Sequence, residues 1–153
     1  MTDLTYEPES NSMQVLVNTW IEGSYSPVHR HNDYSETFII LDGALAFFVF
    51  SDSKGDDAPL PTCHILSSSR SSSKKAIVVE KNQYHAMTAA PQSLGYPGFA
   101  VVFENSGHIY SRRKPTKELA PFAPSKDEGQ NGDKQYFDEV LLKTCNKPES
   151  SST

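Results

Sequence analysis

Two histidines, His29 and His31, stand one residue apart in the run "YSPVHRHNDYSETFIILDG", residues 25 to 43. Alternate side chains of a β-strand share one face, so the two imidazoles of such a pair project the same way, about 6 to 7 Å apart at the backbone. At that spacing both rings can reach one cation at about 2.1 Å. The other interpretation is two polar side chains on the wet face of an edge strand, and the surrounding residues decide between the two.

The histidine pair lies inside a longer pattern. Counting from Gly23, five residues precede His29, one separates it from His31, four follow before Glu36, and six more come before Gly43. This pattern resembles the first motif of the cupin superfamily at every position. The resemblance implies that Glu36 is a third metal ligand beside the two histidines.

A fourth ligand is implied by the stretch "EKNQYHAM". It resembles the second cupin motif, PxGxxH, in its spacing: Glu80 takes the place of the proline, Asn82 that of the glycine and His85 that of the histidine ligand, and Ala89 replaces a later asparagine. The resemblance therefore implies a divalent transition metal (Fe, Mn, Ni, Co, Cu or Zn). Its ligands would be His29, His31, Glu36 and His85. Such mixed nitrogen and oxygen ligation suits any of these ions, and it leaves positions open for water or substrate.

A narrower resemblance follows the two motifs. The run "FENSGHIYSRRKPTKELAPFAPSKDEG", residues 103 to 129, is similar to the carboxyl-terminal stretch of the WbuC-type cupin fold metalloproteins, small proteins encoded near polysaccharide biosynthesis genes in many bacteria. The matching residues are Glu104, Gly107, Tyr110 and the run "ELAPFAP". Asn105 and His108 depart from the family pattern, and Phe122 replaces a tryptophan. Because most members of that family have no assigned reaction, the likeness implies a fold and a metal rather than a substrate.

Composition and charge narrow the classes of function. The chain has 153 residues and a formal net charge of −5, so no general electrostatic attraction draws it to nucleic acid or to an anionic membrane. Residues 1–12 form a polar N-terminal segment, and no run approaches the ~20 apolar residues that span a bilayer. We therefore expect a cytoplasmic protein. Cys63 and Cys145 lie far apart without a neighbouring cysteine, and we expect two reduced thiols.

Short apolar runs separated by turn residues predict an all-β sandwich or barrel with one late helix. The cupin resemblance makes this a single small cupin-type (jelly-roll) β-barrel over residues 13–128, which includes a proline-rich extension at its carboxyl end. The Asp42-Gly43 pair between two apolar runs predicts a hairpin turn, with residues 36–41 pairing antiparallel to residues 44–50. Apolar residues at three- and four-residue spacing predict a short helix within 129–146, and a disordered tail follows at 147–153.

Two tyrosines flank the proposed ligands. Tyr34 and Tyr84 are candidate catalytic residues, either as proton donors or as groups that orient a bound ligand. The alternative is an amphipathic ring that closes the mouth of the barrel. His64 would be a ligand only if the barrel places it near His85, and otherwise it is a partly exposed strand histidine.

Three basic residues in the proline-rich segment, His108, Arg112 and Arg113, are candidates for binding an anionic substrate. The alternative is that they cover the edge of the barrel. Long runs of charge are usually solvated, which favours the second interpretation.

Three functions fit such a site. One is a metalloenzyme that acts on a small organic or sugar-derived molecule by isomerisation, oxygenation or hydrolysis, and another is a metal-dependent module that binds a sugar or small acid without turnover. The third, a structural protein with a vestigial site, is disfavoured because clustered histidine and carboxylate side chains would cost several kcal/mol if buried without a neutralising ion. The expected partners are a small molecule and, because long apolar strands need covering, a second copy of the chain in a homodimer.

Overall fold

The computed structural model describes residues 2–3, 13–51, 59–72, 74–107, 117–124 and 134–145. Nine β-strands in these ranges pair antiparallel in one curled sheet. The strands are β1 (Thr2–Asp3), β2 (Gln14–Ile21), β3 (Tyr25–His31), β4 (Glu36–Phe50), β5 (Pro61–Ser67), β6 (Ala76–Val79), β7 (His85–Ala89), β8 (Phe99–Ser106) and β9 (Lys117–Leu119). The predicted all-β class is confirmed. Within the described ranges, no helix is long and apolar enough to cross a membrane.

Strand β4 connects the two halves of the sheet. Its first half pairs with β6 and β8, and its second half pairs with β5 and β7. The order across the sheet is β1-β2-β8-β4-β7-β3-β9, with β5 and β6 joining β4 outside this path. Consequently β2 and β8 form one wall of the barrel, and β7, β3 and β9 form the other.

The hairpin predicted at Asp42-Gly43 is wrong, because both residues lie inside the continuous strand β4. Gly43 does adopt a positive φ of 75°, and the register against β8 shifts between Ile40 and Asp42. The left-handed residue therefore bends the strand from one half of the sheet to the other instead of reversing it. The backbone here is also crowded: a Cβ at position 43 would lie 2.2 Å from the carbonyl oxygen of Phe99.

Alternation along β4 divides its apolar side chains between two cores. One face contributes Leu45 and Phe47 to a core inside the barrel, which also contains Phe38 and Val102. The opposite face contributes to a second core on the outside of the β5 and β7 side of the sheet, whose members include Ala46, Phe48, Phe50, Phe137 and Leu141. A strand that is buried on both faces explains why β4 is apolar at nearly every position.

The C-terminal helix, residues 134–144, covers this outer core, in agreement with the predicted late helix. Its central part, Phe137–Leu141, is π-helical, and Leu142–Thr144 is α-helical. The side chains of Phe137 and Leu141 point from the helix into the core and are buried, and the Phe137 ring centroid lies 4.7 Å from that of Tyr25. Residues 129–133 and the tail predicted at 147–153 lie outside the described residues.

Cys63 and Cys145 form a disulfide, so the prediction of two reduced thiols is wrong. The cysteines are 82 residues apart in the chain, but their Cα atoms lie 5.0 Å apart. Packing of the C-terminal helix on the outer core carries Cys145 to strand β5, where Cys63 is also in contact with that core. Spacing along the sequence cannot reveal this proximity, because it arises only from the docking of the helix.

Candidate metal centre

Four buried side chains converge at one end of the barrel interior. His29 and His31 come from β3, Glu36 opens β4, and His85 opens β7. One potential ligand atom from each residue lies within 4.8 Å of those of the other three. The convergence follows from strand pairing: His29 and His85 are direct partners across β3 and β7. The structure therefore brings together the four residues that the two motifs single out.

Hydrogen bonds at Nδ1 fix the orientation of two of the imidazoles. His29 Nδ1 lies 2.7 Å from the Pro27 carbonyl oxygen, and His85 Nδ1 lies 3.0 Å from that of Gln83. Because a carbonyl oxygen can only accept, Nδ1 of each ring carries the proton and donates it. Nε2 of each ring then presents a lone pair, which is the tautomer that binds a metal ion.

His31 is oriented by a side chain instead. Its Nδ1 lies 2.7 Å from the Tyr34 hydroxyl oxygen, and the two rings stack with their centroids 4.5 Å apart. Tyr34 therefore holds the third imidazole with its Nε2 toward the cluster.

The separations inside the cluster fit a shared cation. Glu36 Oε2 lies 3.3 Å from His31 Nε2 and 3.2 Å from His85 Nε2. Two ligands about 2.1 Å from one ion lie about 3.0 Å apart at a right angle and about 3.4 Å apart at the tetrahedral angle. Glu36 Oε2 and His85 Nε2 are also fully buried without a hydrogen-bond partner among the described residues. Buried polar atoms rarely stay unsatisfied, and a cation held by the cluster would satisfy both.

The protonation states also suit cation binding. Burial disfavours the ionised form of Glu36, but the adjoining imidazoles of His31 and His85 more than offset it and lower its pKa to about 2. Burial, together with the charges of His85 and Lys117, lowers the pKa of His29 well below its usual value. The cluster therefore offers a carboxylate and a neutral imidazole even in mildly acidic solution.

A small cavity of about 150 Å³ opens in front of the cluster. His29, His31 and Glu36 line it, and the other polar residues around it are Gln14, Trp20, Ser26, Tyr34, Glu104, Ser106 and Lys117. The indole nitrogen Nε1 of Trp20 is buried and has no hydrogen-bond partner in the described part of the chain. The cavity therefore combines a candidate cation site with groups that can donate and accept hydrogen bonds.

Glu104 is a side chain lining this cavity to which the sequence pattern gives no role. It lies on β8, where every second residue points inward, and Ala100, Val102 and Ser106 share its face. Burial and the nearby charge of Glu36 raise its pKa to about 7, although Lys117, His31 and a hydrogen bond from Asn18 act in the opposite direction. A signal was present in the sequence: alternation along β8 puts the Glu104 carboxyl group on the same face as Ala100 and Val102.

The other residues predicted for the site lie elsewhere. Tyr84 points to the outer face of the sheet, where its hydroxyl donates to Glu118 Oε1 at 3.2 Å and Arg30 stacks on its ring. His64 lies on β5, outside the group of four, and its Nδ1 accepts a hydrogen bond from Lys74 Nζ at 2.7 Å. His108, Arg112 and Arg113 lie outside the described residues.

The turn before His85 shows why the second motif needs, at position 82, a residue that tolerates a left-handed backbone conformation. Asn82, which takes the place of the motif's glycine, has a φ of 66°, and its backbone N–H donates to the His31 carbonyl oxygen at 2.7 Å. Asparagine is among the non-glycine residues that tolerate this left-handed conformation best. The turn therefore keeps its shape without glycine and ties β7 to the end of β3.

Comparison with protein families gives one match. Residues 4–57 match the model of a domain of unknown function, DUF6016. None of the curated proteins matches the chain in sequence.

Solved structures with similar folds identify the architecture. L-ribose isomerase from Cellulomonas parahominis superposes with a TM-score of 0.55 at 14% identity, over 80% of this chain and 62% of that one. The capsular polysaccharide assembling protein CapF from Staphylococcus aureus gives 0.53 at 13% identity, over 77% and 34%. NovW, a 4-keto-6-deoxy sugar epimerase from the novobiocin cluster of Streptomyces spheroides, gives 0.53 at 14%, over 72% and 53%. The chain has the cupin fold.

These similarities show the fold alone, since all three identities are low and the chain spans between about a third and two thirds of each relative. The cupin fold confirms the expected jelly-roll barrel. The narrower resemblance to WbuC-type proteins remains a prediction.

Proposed function

We propose that this protein is a metal-dependent enzyme that acts on a small organic molecule, most simply a sugar or sugar derivative, in the cavity before the four-residue cluster. The ligands in this proposal are His29, His31, Glu36 and His85. The observation that carries the proposal is the convergence of four buried ligand atoms within 4.8 Å, two of which lack any other partner in the described structure.

The cluster fits a divalent transition metal. Three imidazole nitrogens and one carboxylate oxygen would hold such an ion and would leave coordination positions for water or a small molecule from the cavity. A bound metal would supply Lewis-acid polarisation of a carbonyl or hydroxyl oxygen of the substrate. The chain itself orients the ligands, through Pro27, Gln83 and Tyr34, and surrounds the substrate with polar groups.

The cavity and the relatives both favour a small, hydroxyl-rich substrate. A volume of about 150 Å³ is well below that of pockets for drug-sized ligands, roughly 300–1,000 Å³. Its wall presents Gln14, Trp20, Ser106 and Lys117 beside the cluster, a set that suits hydroxyl or carboxylate oxygens. Two of the similar structures are, by their names, a sugar isomerase and a sugar epimerase, which supports the same class of substrate.

Metal content tests the ligand assignment. We expect purified wild-type protein to hold about one equivalent of a transition metal by elemental analysis, and His29→Ala or His85→Ala to hold a small fraction of that. His64→Ala is the matched control, because His64 lies outside the cluster and should leave the content unchanged. Circular dichroism establishes that each variant is folded. Equal metal in all four proteins would overturn the assignment.

Turnover separates the enzyme from a binding module. Metal-loaded protein is incubated with aldoses, ketoses and small hydroxy acids, and the products are followed by NMR. Conversion of any member supports the enzyme. Saturable binding of a member with no conversion under any metal would instead assign a non-catalytic binding module.

The disulfide bears on where the protein acts. Disulfides persist in oxidising compartments and are rare in the cytosol. We therefore infer that the chain matures in an oxidising compartment, in place of the cytoplasmic location expected from composition. Thiol labelling of the protein taken directly from its native cells tests this inference: unreactive Cys63 and Cys145 support it, and labelled cysteines contradict it.

A further inference from the structure

Glu104 occupies a specific place in the cavity. It lies on β8, the strand beside the first half of β4, with Phe38 as its partner residue, while Ser106 is the partner of Glu36. Its side chain lines the cavity from the wall formed by β2 and β8, whereas His29 and His31 line it from β3. A molecule bound in this cavity would therefore be bordered both by the ligands and by Glu104.

One hydrogen bond, from Asn18, holds the Glu104 carboxyl group in position. Asn18 on β2 donates from Nδ2 to Glu104 Oε2 at 2.6 Å. Among the described residues, Asn18 is its only hydrogen-bond partner, so Oε1 is not engaged by the protein there. The arrangement holds the group in place and leaves one oxygen for a ligand.

A purely structural role explains this residue poorly. Its neighbours on the inward face of β8 are Ala100, Val102 and Ser106, and burying a carboxyl group among them costs free energy that an apolar residue would not. The raised pKa of Glu104, about 7, reflects that cost, since burial is its largest cause. Groups that are destabilised in this way and face a cleft are frequent at functional sites.

Building on the proposed function, we propose that Glu104 is the catalytic residue that exchanges a proton with an α-hydroxycarbonyl substrate bound before the cluster. The carboxylate removes the proton from the carbon beside the carbonyl. The electron pair of that C–H bond forms a C=C bond, and the carbonyl π electrons move onto oxygen. Glu104 then returns the proton to the former carbonyl carbon, and the hydroxyl proton moves to the other oxygen. The hydroxyaldehyde becomes a hydroxyketone with no oxidant or reductant.

Glu104→Gln tests the proposal with little change of shape, because an amide oxygen can still accept the hydrogen bond from Asn18. Wild type, Glu104→Gln and the matched control Glu139→Gln, which alters an exposed helix residue, are loaded with the same metal. Three quantities are measured: metal content, conversion of four- to six-carbon aldoses and ketoses, and calorimetric binding of the corresponding sugar alcohols. The alcohols lack a carbonyl group, so they report binding without reaction.

We expect Glu104→Gln to keep its metal and to bind sugar alcohols within about threefold of wild type, while conversion falls roughly 10²–10⁴-fold, the usual contribution of an acid–base group. Glu139→Gln should match wild type throughout. Conversion by Glu104→Gln at the wild-type rate would overturn the role of Glu104 alone. No conversion by fully metal-loaded wild type would overturn the enzyme proposal and this role with it.

Asn18→Ala is the second variant, should Glu104→Gln fail to fold. It keeps the carboxyl group but removes the hydrogen bond that orients it and stabilises its charge. We expect a smaller loss of conversion and a shift of the pH–rate profile to higher pH, with metal content unchanged. An unshifted profile at the wild-type rate would overturn the proposal.

Discussion

Tyr34 and His31 are joined by a 2.7 Å hydrogen bond between the tyrosine hydroxyl and Nδ1, and their rings stack 4.5 Å apart. This pair differs from the other two histidines, whose Nδ1 atoms are held by backbone carbonyl oxygens that no substitution removes. Tyr34 is therefore a replaceable side chain that orients an imidazole of the cluster, whereas backbone carbonyl oxygens hold the other two and Ser26 Oγ adds only a longer contact, 3.3 Å, to His29 Nδ1.

Tyr34→Phe should weaken metal binding without unfolding the protein. The change removes the hydroxyl that is hydrogen-bonded to His31 Nδ1 and keeps the stacked ring, and losing such a support typically lowers metal affinity 10- to 100-fold. Competition with a chromophoric chelator measures the affinity. Tyr84→Phe is the matched control, because its hydroxyl bonds Glu118 on the outer face and should leave affinity unchanged. Equal affinity of Tyr34→Phe and wild type would contradict the positioning role.

Glu104→Gln should change how stability depends on pH in the metal-free protein. The pKa of Glu104 is raised to about 7, so the folded state holds this proton more tightly than the unfolded state, where a glutamic acid titrates near 4.5. Stability is therefore full below pH 4.5 and falls as the pH rises to about 7. Glutamine has no proton to lose and avoids the loss.

Thermal unfolding at several pH values measures this effect. The unfolding midpoint of Glu104→Gln minus that of wild type should grow between pH 4.5 and 7 and then level off. Over this range, the difference in unfolding free energy between the two proteins should change by on the order of a few kcal/mol. Glu139→Gln should show no such trend. A constant difference across the range would mean that the folded state does not perturb Glu104.

Much of the site follows from local spacing, and the rest depends on packing between distant segments. His29, His31 and Glu36 are close in sequence, so strand alternation and one turn suffice to bring them together. The Asn82 position could be predicted to tolerate a left-handed turn. By contrast, Asp42-Gly43 could form either a hairpin turn or a bend within one long strand. Which of these forms depends on whether β4 has long partner strands on both sides, and no local pattern reveals that.

Only part of what the structure shows about Glu104 could be predicted from the sequence. Its inward direction could be read from alternation on β8, but its function depends on the cavity, which requires β2, β3 and β4 to be in place. The Cys63–Cys145 disulfide depends in turn on the docking of the C-terminal helix. Composition and spacing favoured free thiols because they carry no information on that contact.

Gly43→Ala should be strongly destabilising, and Gly23→Ala much less so. Both glycines of the first motif have a positive φ, 75° at Gly43 and 85° at Gly23, which costs an L-residue about 1–2 kcal/mol. Only at Gly43 would the new Cβ meet backbone, 2.2 Å from the Phe99 carbonyl oxygen, whereas nothing lies within 4 Å at Gly23. Denaturant unfolding of both variants measures the difference. Equal losses of stability would show that β4 relaxes at its bend.

Reduction of the Cys63–Cys145 disulfide should destabilise the protein without emptying the metal site. The bond ties two residues 82 positions apart, and removing a native disulfide usually costs about 2–5 kcal/mol. The disulfide anchors the C-terminal helix on the outer core, on the opposite face of β4 from the barrel interior. We therefore expect a reductant to lower the unfolding midpoint of wild type while metal content stays the same. The double variant Cys63→Ser/Cys145→Ser should unfold at the lower midpoint with or without reductant. Loss of metal on reduction would show that the helix and the cluster are coupled through β4.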